Sequence, residues 1–408
     1  MKIIQYCQHV LGIGHLFRSL EICRALSGHE VVLVTGGPRV DAKLPGHVRE
    51  VRLPDLQMNQ EFKGLFSSRK NSTLEQIKAD RQKSLLALFE SEKPDVFLVE
   101  LYPFGRKAFR FELDPVLEEL NSKKPSSCGV VCSVRDILVE KEDQVKHETR
   151  VVKTLNKYFD AVLVHADPNL AQLNETFDQY EEIEIPIVYT GYIAPKPKTD
   201  AAQKKRRRLH IGDDEMLIIG SAGGGNVGAP LLTAAVKAFN QLTVEKTCYL
   251  KLFTGPFLER ADFDNLKTMA GPNVQIEQFT SDFLTYLAAA DLSISMGGYN
   301  TTMNILATGV PALVWPFAQN REQRLRAGRL AKEGLLKVLE DDDLRPQRLA
   351  GLMDSILAAP NSSPVKFDLN GAVNDAHILR DILVRRHQFL DLRHHRIQTG
   401  LAVQVSDS

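Results

Sequence analysis

Short apolar runs alternate with amphipathic stretches along almost the whole chain. In the first half the apolar runs at 2–7, 30–35, 47–53, 95–100, 129–134, 161–165 and 185–190 read as strands. Helical spacing fills 15–27, 72–92, 109–121, 143–158 and 168–179 between them. Strand and helix in turn predict a parallel sheet covered by helices. The alternation stops at 193–215, where Pro195, Pro197 and the run Lys204-Lys205-Arg206-Arg207-Arg208 leave little to bury; this stretch reads as an interdomain linker. It restarts at Met216, with strands at 216–221, 249–254, 273–277, 291–295, 311–315 and 335–339 and helices at 230–242, 281–290, 301–308, 322–333 and 346–358. Leu232, Ala235, Val236, Phe239 and Leu242 place one apolar stripe on the helix at 230–242. Pro230 and Pro346 suit first turns, and Gly309 and Gly334 sit where helices should stop.

The pattern therefore predicts an α/β protein of two doubly wound domains, 1–192 and 216–370, then a helix within 371–397 and a polar end, 398–408, without fixed structure. A length of 408 residues suits two domains, and 43% hydrophobic residues supply two cores. Two such sheets facing each other form a cleft at their carboxyl ends, where open α/β folds bind ligands.

Composition narrows the function. Lys+Arg and Asp+Glu both number 51, so the basic excess of a nucleic-acid binder is missing. The five cysteines form no CxxC pair, which argues against a disulfide framework or a zinc knuckle and for reduced thiols in the cytoplasm. Met1 to Cys7 reads as a strand rather than a signal peptide, and no run of about 18 apolar residues is present to span a membrane.

Three segments carry candidate chemistry. The first, Gly12-Ile13-Gly14-His15, follows the first strand and opens a helix whose free N–H groups suit an anion or a sugar hydroxyl. His15 is expected to point into the cleft, or else only to cap the helix. A dinucleotide fingerprint would need glycine where Phe17 stands and an acid after the second strand, which ends Val34-Thr35-Gly36-Gly37, so NAD and FAD are disfavoured. The second segment, Ser221 to Ala229, holds Gly223, Gly224, Gly225 and Gly228 between a strand and a helix. It suits a diphosphate cradle without the Gly-Lys-Ser/Thr of a Walker loop, or a flexible surface loop. The third runs from Met296-Gly297-Gly298-Tyr299-Asn300-Thr301-Thr302 through Gly309-Val310-Pro311 to Asn320-Arg321-Glu322-Gln323. Two successive strand-to-helix turns there present small and polar residues, suited to a phosphate and a sugar with many hydroxyls.

These segments resemble the donor site of B-type (GT-B fold) glycosyltransferases, especially family 28, the group of the peptidoglycan N-acetylglucosaminyltransferase, and of predicted bacterial glycosyltransferases. The resemblance implies two Rossmann-like domains, a UDP-type nucleotide diphosphate sugar as co-substrate in the second, and the acceptor in the first. Gly223, Gly224, Gly225 and Asn226 would face the diphosphate, as would Gly297, Gly298 and the turn holding Asn300 and Thr301. Glu322 and Gln323 would hold the sugar. Asn304 stands where the family usually has a glutamate for the ribose. His15 matches the histidine that faces the reaction centre.

On the acceptor side, Gly12, Gly14, Glu100, Arg106 and Arg135 sit at strand carboxyl ends, as acceptor contacts or as Arg–carboxylate pairs that shape loops. The acidic runs Asp213-Asp214-Glu215 and Asp341-Asp342-Asp343 suit capping and solvation rather than a metal, and no cofactor is expected. The basic run 204–208 and Arg385, Arg386, His394, His395 and Arg396 read as solvated faces or as contacts to an anionic membrane surface on its cytoplasmic side.

The expected reaction is inverting, metal-independent transfer of a hexose or N-acetylhexosamine to the hydroxyl of a small-molecule, glycan or lipid-linked acceptor. The rivals are a nucleotide-sugar hydrolase or 2-epimerase, and a non-catalytic nucleotide-sugar binder.

Overall fold

The computed structural model describes residues 1–9, 14–40, 42–58, 64–67, 72–123, 128–139, 142–225, 227–359 and 364–384. Gly12, Asn226, the basic residues from Arg385 onward and the end of the chain lie outside the described residues.

The first domain runs β1 (Lys2–Tyr6), α1 (Gly14–Ala25), β2 (Glu30–Thr35), β3 (Val48–Arg52), a hairpin of β4 (Gln57–Met58) and β5 (Leu65–Phe66), α2 (Leu74–Glu92), β6 (Val96–Glu100), α3 (Arg110–Ser122), β7 (Gly129–Arg135), α4 (Gln144–Tyr158), β8 (Ala161–His165) and β9 (Ile187–Tyr189). After α5 (Ala201–Arg208) come β10 (Met216–Ser221), α6 (Ala229–Phe239), β11 (Cys248–Phe253), α7 (Arg260–Met269), β12 (Val274–Glu277), α8 (Phe283–Ala289), β13 (Leu292–Ser295), α9 (Tyr299–Thr308), β14 (Ala312–Val314), α10 (Arg321–Lys332), β15 (Lys337–Val338), α11 (Pro346–Ala358) and α12 (Gly371–Val384).

The main sheets are wholly parallel, ordered β3-β2-β1-β6-β7-β8-β9 and β12-β11-β10-β13-β14-β15. Central strands covered on both faces must be apolar throughout, and Val96–Glu100 and Ala161–His165 are buried at every position. In each sheet the order reverses beside the domain's first strand, between β1 and β6 and between β10 and β13. Those two gaps are where this architecture binds ligands.

Three local expectations change. The stretch 168–179 forms two short 3₁₀ turns, Leu173–Glu175 and Asp178–Glu182, rather than a helix. Leu170, Leu173 and Phe177 still reach the core, and the Tyr189 hydroxyl holds the Leu173 N–H at 2.8 Å, which 3₁₀ turns satisfy without a helical ladder. The stretch 193–215 contains α5, and two residues of its basic run are engaged in structure while Lys204, Arg207 and Arg208 are exposed. Lys205 is buried, pairs with Asp282 at 2.5 Å and lies 4.1 Å from the Tyr286 ring centre. Arg206 binds the carbonyls of Ala289, Gly212 and Glu215 and the carboxylate of Asp291. The helix α7 carries no apolar stripe in the sequence, since only Phe263 and Leu266 are buried on it. The helix expected within 371–397 is α12, which packs back on the first domain, where Ala376, Leu379 and Ile382 join Ile3, Leu16 and Leu20 in one core cluster.

Among the described residues all five cysteines are free and buried, and no helix is long and apolar enough to cross a membrane.

Candidate active site

The two switch points meet. Asn300, in the first turn of α9, donates from Nδ2 to the carbonyl of Gly14 at 3.0 Å, joining the helix start after β13 to the one after β1. His15 follows Gly14, and its Nδ1 lies 2.6 Å from Oε1 of Glu100, the last residue of β6. Arg18, one turn along α1, donates from Nη2 to the same Oε1 at 2.6 Å, while Arg106 donates to Oε2 from Nε and Nη2 at 3.3 and 3.2 Å.

This network opens to solvent through the imidazole, whose side chain is 21% exposed against 1% for Glu100 and 2% for Arg18. Burial pushes His15 down to about 4, with the nearby Arg106 and Arg18 adding to the effect against the opposing pull of Glu100. Burial alone would raise Glu100, but the hydrogen bond from His15 and the guanidinium groups of Arg106 and Arg18 hold its carboxyl well below the usual range. A charged carboxylate beside a neutral ring fixes the tautomer: Nδ1–H donates to Glu100 and Nε2 keeps its lone pair, the arrangement of an oriented general base. Glu100 and Arg106 do form an Arg–carboxylate pair, and that pair also orients His15.

On the opposite side, Gly223 has φ +60° and nothing within 4 Å of where a Cβ would stand, so it leaves bare main chain open to a ligand. Gly224 is exposed too, although its carbonyl accepts from the Phe257 N–H at 2.9 Å. Gly225 serves packing instead, since a Cβ there would lie 2.6 Å from the Thr254 carbonyl. Gly297 turns the chain at φ +73°, and Gly298 caps α9. The first-turn N–H groups of Tyr299, Asn300 and Thr301 have no acceptor within their own helix, a geometry that suits an anion. Thr301 and Asn304 are half-buried on the same helix.

Glu322 and Arg135 are engaged in ion pairs. Glu322 is buried and binds Arg135 at 2.8 Å and Arg326 at 2.7 Å. Arg326 in turn forms a two-pronged pair with Asp136. Arg135 at the end of β7, Asp136 just after it, and Glu322 and Arg326 of α10 thus make an ionic seam between the domains. Gln323 supports its own loop, accepting from the Phe317 N–H at 3.1 Å. The acidic runs act as partners and caps: Glu215 binds the Gly212 N–H and Tyr249 hydroxyl, Asp341 the Trp315 indole, and Asp343 the Glu340 N–H. Among the described residues no three His, Cys, Asp or Glu side chains cluster as a metal ligand set.

Sequence reasoning missed Arg18, Tyr299 and the Asp136–Arg326 pair. Arg18 had a signal: it lies one turn from His15 on a helix that carries Leu16, Leu20 and Ile22 toward the core, where a guanidinium needs a buried partner.

Residues 222–368 match the model of the glycosyltransferase family 28 C-terminal domain. The chain is 28% identical over 189 residues to the UDP-N-acetylglucosamine--N-acetylmuramyl-(pentapeptide) pyrophosphoryl-undecaprenol N-acetylglucosamine transferase of Solidesulfovibrio magneticus, covering 43% of this chain and 49% of that one. It therefore spans about half the length of that relative. It is 24% identical over 341 residues to an uncharacterized glycosyltransferase of Methanosarcina mazei, covering 79% of this chain and 82% of that one. Among solved structures it is similar to MurG of Acinetobacter baumannii, with a TM-score of 0.52, 15% identity and coverage of 95% and 100%. It is also similar to Phytolacca americana UGT2 complexed with UDP-2fluoro-glucose and pterostilbene, with a TM-score of 0.56, 14% identity and 94% of each chain.

The fold is that of the two-domain, B-type glycosyltransferases. Within that fold class, residues 222–368 carry the similarity to the glycosyltransferase family 28 C-terminal domain.

Proposed function

We propose that the protein transfers a sugar from a nucleoside diphosphate sugar, UDP-linked, to an acceptor hydroxyl held by the first domain. The observation that carries this reading is the His15–Glu100 pair at 2.6 Å, standing across the Asn300–Gly14 contact from the start of α9. The diphosphate lies at that helix start and against Gly223 and Gly224, where main-chain N–H groups stabilise the charge that grows on the leaving phosphate. Nε2 of His15 takes the proton of the acceptor hydroxyl as its oxygen attacks the anomeric carbon. Glu100 holds the ring and steadies the imidazolium as it forms. Attack from the face opposite the leaving group inverts the anomeric centre. Main-chain donors and helix dipoles meet the diphosphate charge, so the transfer proceeds without a divalent cation.

The choice of UDP and of a hexose or N-acetylhexosamine is supported by the names of the similar proteins, one a UDP-N-acetylglucosamine transferase and one bound to UDP-2fluoro-glucose. A lipid-linked or small hydroxylated acceptor is suggested in the same way, and would place the enzyme in the cytoplasm or at the inner face of the membrane.

The test is a thermal-shift screen with UDP-glucose, UDP-N-acetylglucosamine and their TDP counterparts, followed by release of nucleoside diphosphate on adding acceptor hydroxyls. A true donor raises the apparent stability through RT ln(1 + [L]/Kd). A His15→Ala chain should bind that donor as before and lose turnover. No shift with any donor, or unchanged turnover without His15, would overturn the proposal.

A further inference from the structure

We infer that Tyr299 couples occupation of the cradle at the start of α9 to the orientation of the His15–Glu100 pair. This rests on the donor-site reading above. Tyr299 opens α9 immediately after Gly298. Its ring is buried between two guanidinium groups, with Arg18 of α1 at 5.6 Å and Arg326 of α10 at 5.0 Å from the ring centre. Its hydroxyl donates to the carbonyl of His165 at the end of β8, at 3.4 Å. A residue of the second domain is thus seated in the first.

Arg18 is the link. The Nη2 that donates to Glu100 at 2.6 Å also lies 3.4 Å from Nδ1 of His15. Its Nε is buried with no partner among the described residues. The guanidinium plane is therefore set by Glu100 at one edge and by the aromatic face of Tyr299, which attracts a cation. Asn300 adds a second tie through the carbonyl of Gly14, the residue before His15. The first two residues of α9 both hold the segment that carries the base.

A diphosphate drawn to the helix start acts on the same turn of backbone that bears the Tyr299 ring and the Asn300 amide. A shift of that turn moves Arg18 and Gly14, and with them the imidazole. The charged groups facing His15 are Glu100 at the end of β6, Arg106 after it, Arg18 on its own helix and Glu322 on α10. Tyr299 sets the place of one of them, and so acts as a positioning residue.

The experiment uses the full chain with carbon-13-labelled histidine, UDP as the probe, and the His15 Cε1–H resonance identified by its loss in His15→Gln. In the wild type UDP should move this resonance. Tyr299→Phe keeps the ring and should give the same response. Tyr299→Leu should bind UDP within about threefold of wild type yet show less than half of the His15 response. Tyr299→Met is read in the same way should the leucine chain fail to fold. An undiminished response without the ring, or a phenylalanine variant that behaves like leucine, overturns the coupling. So does a leucine variant that folds but no longer binds UDP, which would assign Tyr299 to donor binding itself. Failure of the wild type to bind UDP would instead remove the donor-site reading on which the coupling rests.

Discussion

Asp136 and Arg326 form a two-pronged ion pair between the domains, with Nε and Nη2 of the arginine 2.6 and 2.7 Å from the two carboxylate oxygens and both side chains buried. Arg326 also holds Glu322, which holds Arg135. The relative placement of the two sheets, and with it the distance from His15 to α9, depends on this seam.

Breaking the pair from one side leaves a buried carboxylate uncompensated. Arg326→Met should cost about 3–5 kcal/mol in stability, measured by urea unfolding. Adding Asp136→Leu should recover a large part of the loss, because it removes the stranded charge. A double variant as unstable as the single one would show that shape, not charge, dominates at this contact.

Protonation of His15 couples acidity to stability. Its folded-state value, pushed down by burial to about 4, lies below the ordinary 6.5 of a histidine. The unfolded chain therefore binds the extra proton first as pH falls. The contribution of this group is fully present above pH 6.5 and is lost progressively as pH falls toward 4. Unfolding midpoints of wild type and His15→Gln between those limits should converge at low pH.

The same depression shapes catalysis. With the ring neutral down to about 4, kcat/KM should stay flat through pH 6, with its acid limb lying well below that of an ordinary histidine. An acid limb near pH 6.5 would contradict the buried dyad.

Glu100→Gln removes the charge that fixes the His15 tautomer and strands Arg18 and Arg106. Turnover should fall by about 10²–10⁴, the range attributed to a positioned acid–base group, while UDP affinity changes little. A variant retaining full turnover would remove Glu100 from the mechanism.

Gly297→Ala tests the turn into α9. A methyl group there would meet Val314 Cγ1 at 2.7 Å on a backbone with φ +73°. A cost of about 1–3 kcal/mol is expected for the strained conformation, together with weaker UDP binding in isothermal titration. Normal binding would separate this turn from the phosphate site.

Much of the architecture was legible in the chain because parallel strands covered on both faces must be apolar along their length, as Val96 to Val99 and Ala161 to Val164 are. The exceptions had weak local patterns. The helix Arg260–Met269 buries little, and Ala201–Arg208 is mostly basic yet anchors through Lys205 and Arg206. For the site, the glycines and His15 were visible because turns at strand ends have few substitutes for glycine. The partner of each charge was not visible, since Glu100 lies 85 residues from His15 and Asp136 lies 190 from Arg326.

The sequence by itself determined two doubly wound sheets and the turns that could hold a ligand, because periodicity and backbone freedom are local properties. Only the tertiary structure decided that Glu100 orients His15, that Glu322 and Arg135 join the domains, and that Tyr299 reaches across to Arg18. Buried charges take whichever partner folding brings within reach, and that depends on how the two sheets pack rather than on spacing along the chain.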